Sequence, residues 1–532
     1  MMALKYKKKA SVLAVLMLSG AGLPVSGYSQ DQHFLQNKSA GQAVVSPSPV
    51  AVNPLTAGYR QKQHFLQKHP VTPVVAEPAV VLPVATQPGA ALLQPEPTSS
   101  VNPGIMYHIA DDQASKILAQ SDLLAAPEQV IKTYLARMAL AAKNYTPQIR
   151  EALTNHEAAE ADVDQAEGAR LPQITVGVQS NPQQFGSGQR IDKRDMTNGV
   201  SINATTPVFD WGYNSKNIQS KEFTAKATEA YYHAQYEDTS YQVCSELAEL
   251  AKQKLLLQLS GAYVQRMSHL VNMIKDISDM DAGRVSELTQ AQARLLQAQA
   301  GKDSAESKVH DAEIALRKLT GYTSYKDLPA QPAWNIHIDD PNSLLRAIGH
   351  HPTIIQAKNQ ALSAYEQAKA VKAGNRPKLN WVVNKTIPIN SGAYEESWQT
   401  YLNVSWGIYQ GGSATAQEKA AALRAEAAEQ QIEEQKIDLS SKVRTAIHNT
   451  NTYLDQAAQY HNLVKATDRV RRDFFEQWRQ LSTRQLLDVL TAESDYYNNQ
   501  VNEVSSRFSA YSSMFTSYAN AGMLNEWLGV NE

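Results

Sequence analysis

A single cysteine, Cys244, leaves this chain no internal disulfide framework, and its helical surroundings mark it as a packing residue. Beyond residue 27 no stretch approaches the roughly 18 apolar residues that a membrane-spanning helix needs. That excludes a helical inner-membrane protein but not an exported one built from strands. No basic excess is present either. The formal charge is −2, and it falls to −6 without Lys5, Lys7, Lys8 and Lys9, so nothing points to nucleic acid. Those four lysines precede an apolar run from Ala10 to Leu23 and the small residues Val25-Ser26-Gly27. The pattern predicts a secretory signal peptide over residues 1–27, cut after Gly27, with no cysteine nearby to carry a lipid.

Residues 28–104 have no amphipathic period and hold 11 of the 23 prolines. Such a composition buries too little apolar surface to offset chain entropy, and it predicts a disordered tether. Within it Gln32-His33-Phe34-Leu35-Gln36 recurs as Gln63-His64-Phe65-Leu66-Gln67, a docking motif or simple drift within a linker.

What the chain does have is a long internal repeat. Pro147, Ile149, Ala152, Ala159 and Pro172 recur 205 residues on as Pro352, Ile354, Ala357, Ala364 and Pro377. The block Pro207-Val208-Phe209-Asp210-Trp211-Gly212 recurs loosely as Gly407-Ile408-Tyr409-Gln410-Gly411-Gly412, and Val285-Ser286-Glu287 as Leu486-Leu487-Asp488. A period near 200 residues is too long for a solenoid unit and reads as duplication of a whole module. Copy one spans 105–330 and copy two 331–532.

Each copy contains strict period-2 alternation. Ile174, Val176 and Val178, then Val200 and Ile202, alternate with polar residues; so do Leu379, Trp381 and Val383, then Leu402, Val404 and Trp406. The alternation predicts hairpins over about 173–180 with 198–209 and 378–387 with 399–409, each apolar on one face. Trp381, Trp398, Tyr401, Trp406 and Tyr409 suit an interfacial girdle or an ordinary core. After each hairpin comes a stretch nearly free of helix breakers, 213–280 and 413–482, predicting helices of about 100 Å. Return helices over 284–320 and 484–520 carry heptads, with seams through Leu288, Ala291, Leu295 and Ala298 and through Leu487, Leu490, Ser494 and Tyr497.

Four strands cannot close a bilayer-spanning barrel, whereas twelve from three copies can. The expected fold is mainly α with a β-barrel portion: a duplicated helix–β-hairpin–helix module with long antiparallel coiled coils. Its four strands per chain would complete a 12-stranded outer-membrane barrel in a trimer, apolar faces toward lipid. A secreted coiled-coil adhesin shares the heptads and the leader but has no use for two equivalent amphipathic hairpins.

These features together resemble the TolC family of trimeric outer-membrane channel-tunnels. The matching segments are the Pro-x-Ile-x-x-Ala helices, the strand exits VFDWG and IYQGG, and the tips GRVSELTQAQARL and STRQLLDVLTAESDYY, over residues 128–530. The resemblance implies a non-enzymatic, cofactor-free exit duct in the outer membrane, its helical tunnel crossing the periplasm. It implies a homotrimer that docks a periplasmic adaptor and an inner-membrane ABC or proton-driven transporter. No catalytic constellation competes: His350-His351 precedes a helix-starting proline, and His156-Glu157-Ala158-Ala159-Glu160 lacks the second histidine of a zinc-protease helix.

The resemblance also assigns a periplasmic gate. Arg484 and Asp488 match the family's tip arginine and inward acid; Thr491 stands where a second acid is often found. Three Asp488 carboxylates around a threefold axis favour cations. Glu287 matches the first-tip acid, which predicts Glu287–Arg484 links that hold the tips closed. For cargo, the LLDVLTAESDYYN and AGMLNEWLGV segments look like secretion-linked members, and the missing lipidation cysteine departs from acylated efflux members. Type I protein secretion is therefore the expected role, with multidrug or metal efflux as the alternative.

Overall fold

The computed structural model describes residues 125–179, 199–329, 331–338, 340–388, 397–480 and 483–530. The leader, the Pro-rich tether, both Gln-His-Phe-Leu-Gln copies and both hairpin loops lie outside them.

The first copy runs α1 (Glu128–Tyr145), α2 (Pro147–Gly168), β1 (Gln173–Gln179), β2 (Gly199–Phe209), α3 (Tyr213–Ser278) and α4 (Val285–Thr320). A short α5 (Pro341–Ala347) leads into the second: α6 (Pro352–Gly374), β3 (Lys378–Pro388), β4 (Gln399–Ser405), α7 (Ser413–Gln480), α8 (Leu486–Ala521) and α9 (Leu524–Leu528). Proline sets the first position of α2 and of α6, where its missing N–H costs nothing. No helix among the described residues is long and apolar enough to cross a membrane.

α3 has 66 residues and α7 has 68, each about 100 Å long. Their starts depend on left-handed backbone. In the first copy Trp211 (φ 58°) and Gly212 (φ 82°) turn the chain out of β2; in the second Gly411 (φ 60°) and Gly412 (φ 84°) do so. Asp210 caps α3, its two carboxylate oxygens accepting from Gly212 N and Asn214 N at 2.9 Å each.

The sheet is fully antiparallel in the order β1-β2-β3-β4. The helices that feed it lie in the same order, α2 on α3, α3 on α6 and α6 on α7. Ser220 of α3 donates to the Ser363 carbonyl of α6 at 3.0 Å, and Lys221 pairs with Asp162 of α2 at 3.0 Å. Farther along, α3 changes partners to α4 and α8, and α7 pairs with α8. The row is then α4-α3-α8-α7.

β4 ends at Ser405 rather than near residue 409, because Gly407, Gly411 and Gly412 break the extended chain before α7. The second seam is also displaced. Leu486, Val489, Glu493, Tyr496, Gln500 and Glu503 are buried together with the expected Leu490, whereas the expected Leu487 is 49% exposed. Farther along the same helix Val504, Phe508, Tyr511, Phe515 and Tyr518 are in the core. The difference comes from charged residues that a heptad of apolar positions passes over.

At the middle of the long helices a large core gathers α1, α3, α4, α8 and the segment 325–338. Trp334 stacks on Tyr511 at 5.4 Å and meets Phe508 edge-on at 5.2 Å. The Tyr511 hydroxyl accepts from Trp334 N at 2.8 Å. Beside this core Glu237 of α3 accepts from the backbone N–H groups of Leu524 and Asn525, tying down α9. Burial pushes the Glu237 carboxyl up to about 7 against those two N–H groups, from an ordinary 4.5. Its contribution to stability is therefore full below pH 4.5 and is lost as pH rises through about 7. In thermal unfolding, Glu237→Gln is expected to flatten that part of the pH profile and to unfold at a higher temperature than the parent at pH 8. A parent-like slope between pH 5 and 8 would contradict the assignment.

Candidate functional site

The two coiled-coil ends meet over a second core of Tyr263, Met267, Leu270 and Ile274 from α3, Ala291 and Ala298 from α4, Phe475 and Trp478 from α7, and Leu486, Val489 and Leu490 from α8. Beyond it each tip is polar and internally paired. At the first, Asp281 accepts from Gly283 N at 2.9 Å, and Arg284 lies 3.9 Å from both Asp281 and Glu287. At the second, Arg484 reaches Asp488 at 3.8 Å, donates to Gln477 Oε1 at 3.2 Å and stands 4.2 Å from the Phe474 ring centroid. Asp488 doubles as the acidic member of a capping box with Gln485, and Thr491 is exposed one turn on.

Arg484, Asp488 and Thr491 thus share one tip and Glu287 stands on the other. The expected Glu287–Arg484 link is not formed within the chain, because Arg284 three residues away takes Glu287 and Asp488 takes Arg484. Local i,i+3 and i,i+4 spacing wins over a contact between hairpins.

Behind the tip lies a charge cluster that the sequence reading missed. Arg266 of α3 donates to Glu493 Oε2 at 2.9 Å, and Arg471 of α7 donates to Glu493 Oε1 at 3.2 Å. Arg471 also pairs with Asp468 at 2.7 Å, and Arg472 joins the same carboxylate. Both buried guanidinium groups lie over Tyr496, Arg471 at 4.6 Å and Arg266 at 5.4 Å; Tyr263 stacks on Tyr497 at 4.5 Å. Arg471 is 1% exposed. Burial alone would lower it, but Glu493 and Asp468 outweigh burial and hold it above its ordinary range. Two buried arginines and two carboxylates balance, so the cluster binds the first hairpin to the second at one register. The signal available in sequence was a set of acids and amides at heptad spacing, Glu493 and Gln500 on one line and Glu503 beside it.

At the opposite end, pairing puts the expected apolar strand residues on one face. Val176 is opposite Ile202, Val178 opposite Val200, Trp381 opposite Leu402 and Leu379 opposite Val404, while Ile174 and Val383 flank Ala204. Ile174 and Val176 are each 69% exposed and Val178 79%. Trp406 lies just past the end of β4. The other face carries Thr175, Asn203, Asn384, Asn380 and Asn403. His351, singled out by its neighbour His350, is a helix cap: Nδ1 accepts from Thr353 N at 3.1 Å and Nε2 contacts the Ala519 carbonyl at 3.2 Å.

A small amphipathic sheet with two bare edges, carried on helical hairpins of about 100 Å, defines the class of outer-membrane channels with a periplasmic helical stalk. Comparison with known proteins agrees. The family model described as "Outer membrane efflux protein" matches residues 137–322. Outer membrane protein TolC of Escherichia coli is 23% identical over 427 residues, covering 71% of this chain and 80% of that protein. Outer membrane efflux protein BepC of Brucella suis is 22% identical, covering 73% and 85%. Among solved structures, the outer-membrane channel OprN superposes with a TM-score of 0.65 at 18% identity, over 79% of this chain and 98% of that one. The Campylobacter jejuni CmeC channel gives 0.62 at 15% identity, over 84% and 94%. These likenesses support the TolC family, and they indicate an outer-membrane protein with a helical portion in the periplasm.

Removing one partner from a buried charge cluster leaves the others unpaired, so Glu493→Gln is expected to cost about 3–5 kcal/mol and lower the unfolding temperature. Replacing Arg266, Arg471 and Glu493 together with apolar residues of similar volume should recover most of it. A single substitution without effect would show that the cluster is not paired in the folded protein.

Proposed function

We propose that three copies of this chain close a 12-stranded barrel in the outer membrane and form the exit duct of a tripartite type I secretion system. The observation that carries the channel reading is the sheet register. It gathers the apolar residues of four strands on one face and the amide side chains on the other, and leaves the outer edges of β1 and β4 unpaired. A strand edge in hydrocarbon needs a partner, and the β1 edge of another copy is the complement available to β4. Ile174, Val176, Val178, Val200, Ile202, Leu379, Trp381, Val383, Leu402, Val404 and Trp406 then face lipid.

On this reading the tips are the periplasmic gate. Arg484 keeps the second tip closed through Asp488 and Gln477, and the adaptor opens it by replacing those contacts. The three Asp488 carboxylates set a cation preference, made weaker than that of a double ring by Thr491. The LLDVLTAESDYYN tip and the AGMLNEWLGV terminus, which forms α9 against Glu237, support secretion of a protein cargo. The second reading is small-molecule efflux. It is favoured by the descriptions of the matching family and of BepC as efflux proteins.

In a deletion strain, one or two large proteins are expected to vanish from the secreted fraction and to return on complementation, measured by mass spectrometry. An unchanged secretome with new drug or metal sensitivity would replace secretion with efflux. In planar bilayers Arg484→Ala is expected to raise single-channel conductance and Asp488→Asn to reduce cation preference. Unchanged conductance and selectivity would remove both residues from the gate.

A further inference from the structure

The turn between α6 and β3 is held by two indole groups. Trp211 donates through Nε1 to the Pro377 carbonyl at 2.8 Å, and Trp406 donates to the Asn375 carbonyl at 3.2 Å. Between those carbonyls stands Arg376, exposed, its guanidinium 5.1 Å from the Trp211 ring centroid. Among the described residues no carboxylate is within ion-pair distance of Arg376. The carboxylate next to Trp211 in sequence, Asp210, is occupied by the two backbone N–H groups that cap α3.

This cation stands at the margin of the apolar sheet face. Trp211 meets Phe209 edge-on at 4.9 Å, and Phe209 pairs with Leu379, the last apolar residue of β3 before the helices begin. Phe209, Trp211, Trp406, Ile408 and Tyr409 are all exposed there. A second cation, Lys378, alternates with Leu379 and pairs with Ser405 on the polar face, its Nζ 4.1 Å from the Tyr213 ring. Lys385 stands opposite Ile202 farther along β3, so the outward cation at this turn is Arg376. It is joined to β2 and β3, the two central strands, so a second copy added at the β1 or β4 edge leaves it uncovered.

We propose that Arg376 and the Trp211 ring form a headgroup site for an anionic glycerophospholipid of the periplasmic leaflet. The planar guanidinium offers paired N–H donors to two phosphodiester oxygens. Trp211 covers one face of the guanidinium and fixes its direction, and Phe209 and Trp406 receive the glycerol and the first methylenes of the chains at the depth where aromatic side chains anchor. The two indole-to-carbonyl bonds hold the turn in place before lipid arrives. A basic group at a membrane surface attracts anionic lipid in general; the preorganised donor and its aromatic platform make this a discrete site.

The inference rests on the membrane placement of the sheet and not on the cargo. The test uses full-length protein in detergent, titrated with phosphatidylglycerol and followed by native mass spectrometry, with oligomeric state and vesicle flotation read separately. Up to three lipids per trimer are expected, with affinity about tenfold lower for Arg376→Ala and intermediate for Arg376→Lys, which keeps the charge but loses the fork. Lys372→Ala, which removes a cation paired with Glu418 at 3.6 Å, is expected to bind as the parent does. Glycerol phosphate at equal concentration should not displace the lipid. Parent-like binding by Arg376→Ala, an equal loss in Lys372→Ala, or displacement by glycerol phosphate would each overturn the proposal, the last in favour of a soluble-anion site. Failure to float would instead count against the membrane placement.

Discussion

Every backbone N–H and C=O at lipid depth needs a partner inside the protein, and this chain meets that requirement for only part of its sheet. β2 and β3 are paired on both sides; β1 and β4 each have one bare edge. In the proposed trimer, closure by further copies supplies those partners with no new element, and the features at the sheet-to-helix junction fit that requirement. Strands about 4.8 Å apart occupy about 7 Å of circumference when tilted near 45°, whereas packed helices need about 8–10 Å. The chain must therefore be re-aimed where strand becomes helix. That is where left-handed backbone occurs, at Trp211, Gly212, Gly411 and Gly412. Trp211 adopts it without glycine's freedom, and its indole bond to Pro377 and edge contact with Phe209 offset the cost.

The stalk has a related problem, because two hairpins packed through smooth apolar seams can slide. Glu493 prevents this. Held by Arg266 from one hairpin and Arg471 from the other, it has satisfied partners at one register only, and a shift of one helical turn would leave three charges buried alone. The tip pairs are different in kind. Arg484–Asp488 and Arg284–Glu287 are 3.8 and 3.9 Å apart and partly exposed, in the range worth about 0–1 kcal/mol each. Asp488 and Glu493 are five residues apart, about 7.5 Å along α8. Movement at the tip is thus cheap outboard of Glu493 and expensive at it, and the proposed opening would be confined to the last turns of the hairpins.

Much of the fold was legible in the sequence, because hairpins and long helices have their own periods. Ile174, Val176 and Val178 alternate strictly, and α3 contains no proline. The first return seam is buried at the expected Ala291 and Ala298 and continues through Val309, Ala312 and Leu316. The second holds at Leu490 but misplaces Leu487 near the tip, for an identifiable reason. A heptad template rewards Leu487 and rejects Glu493 and Glu503, although burial of these acids is stabilised by arginines and a histidine distant in sequence, including His461 at 2.9 Å from Glu503. Pairings of that kind have no local signature. Glu237 was missed likewise: its partners, Leu524 N and Asn525 N, lie nearly 290 residues away. Arg376 was invisible for a third reason, since two indole groups that meet at its turn come from different repeats.

Duplication gave each chain two similar halves, but the chemistry at their ends has diverged. At the strand exits one half uses Asp210-Trp211-Gly212 and the other Gln410-Gly411-Gly412. At the tips one half carries Asp281, Arg284 and Glu287, the other Arg484 and Asp488 with an apolar Leu486-Leu487 pair between them. Leu486 is buried at 1% exposure while Leu487 faces out beside the pair. In the proposed trimer the backbone is then close to sixfold while the side chains are only threefold, and neighbouring tips present different surfaces. A partner that reads Leu487 and Arg484 finds three equivalent tips rather than six. In that proposed assembly a cation entering the constriction would likewise meet three Asp488 carboxylates, which would leave selectivity and docking to the second half of the repeat and a supporting role to the first.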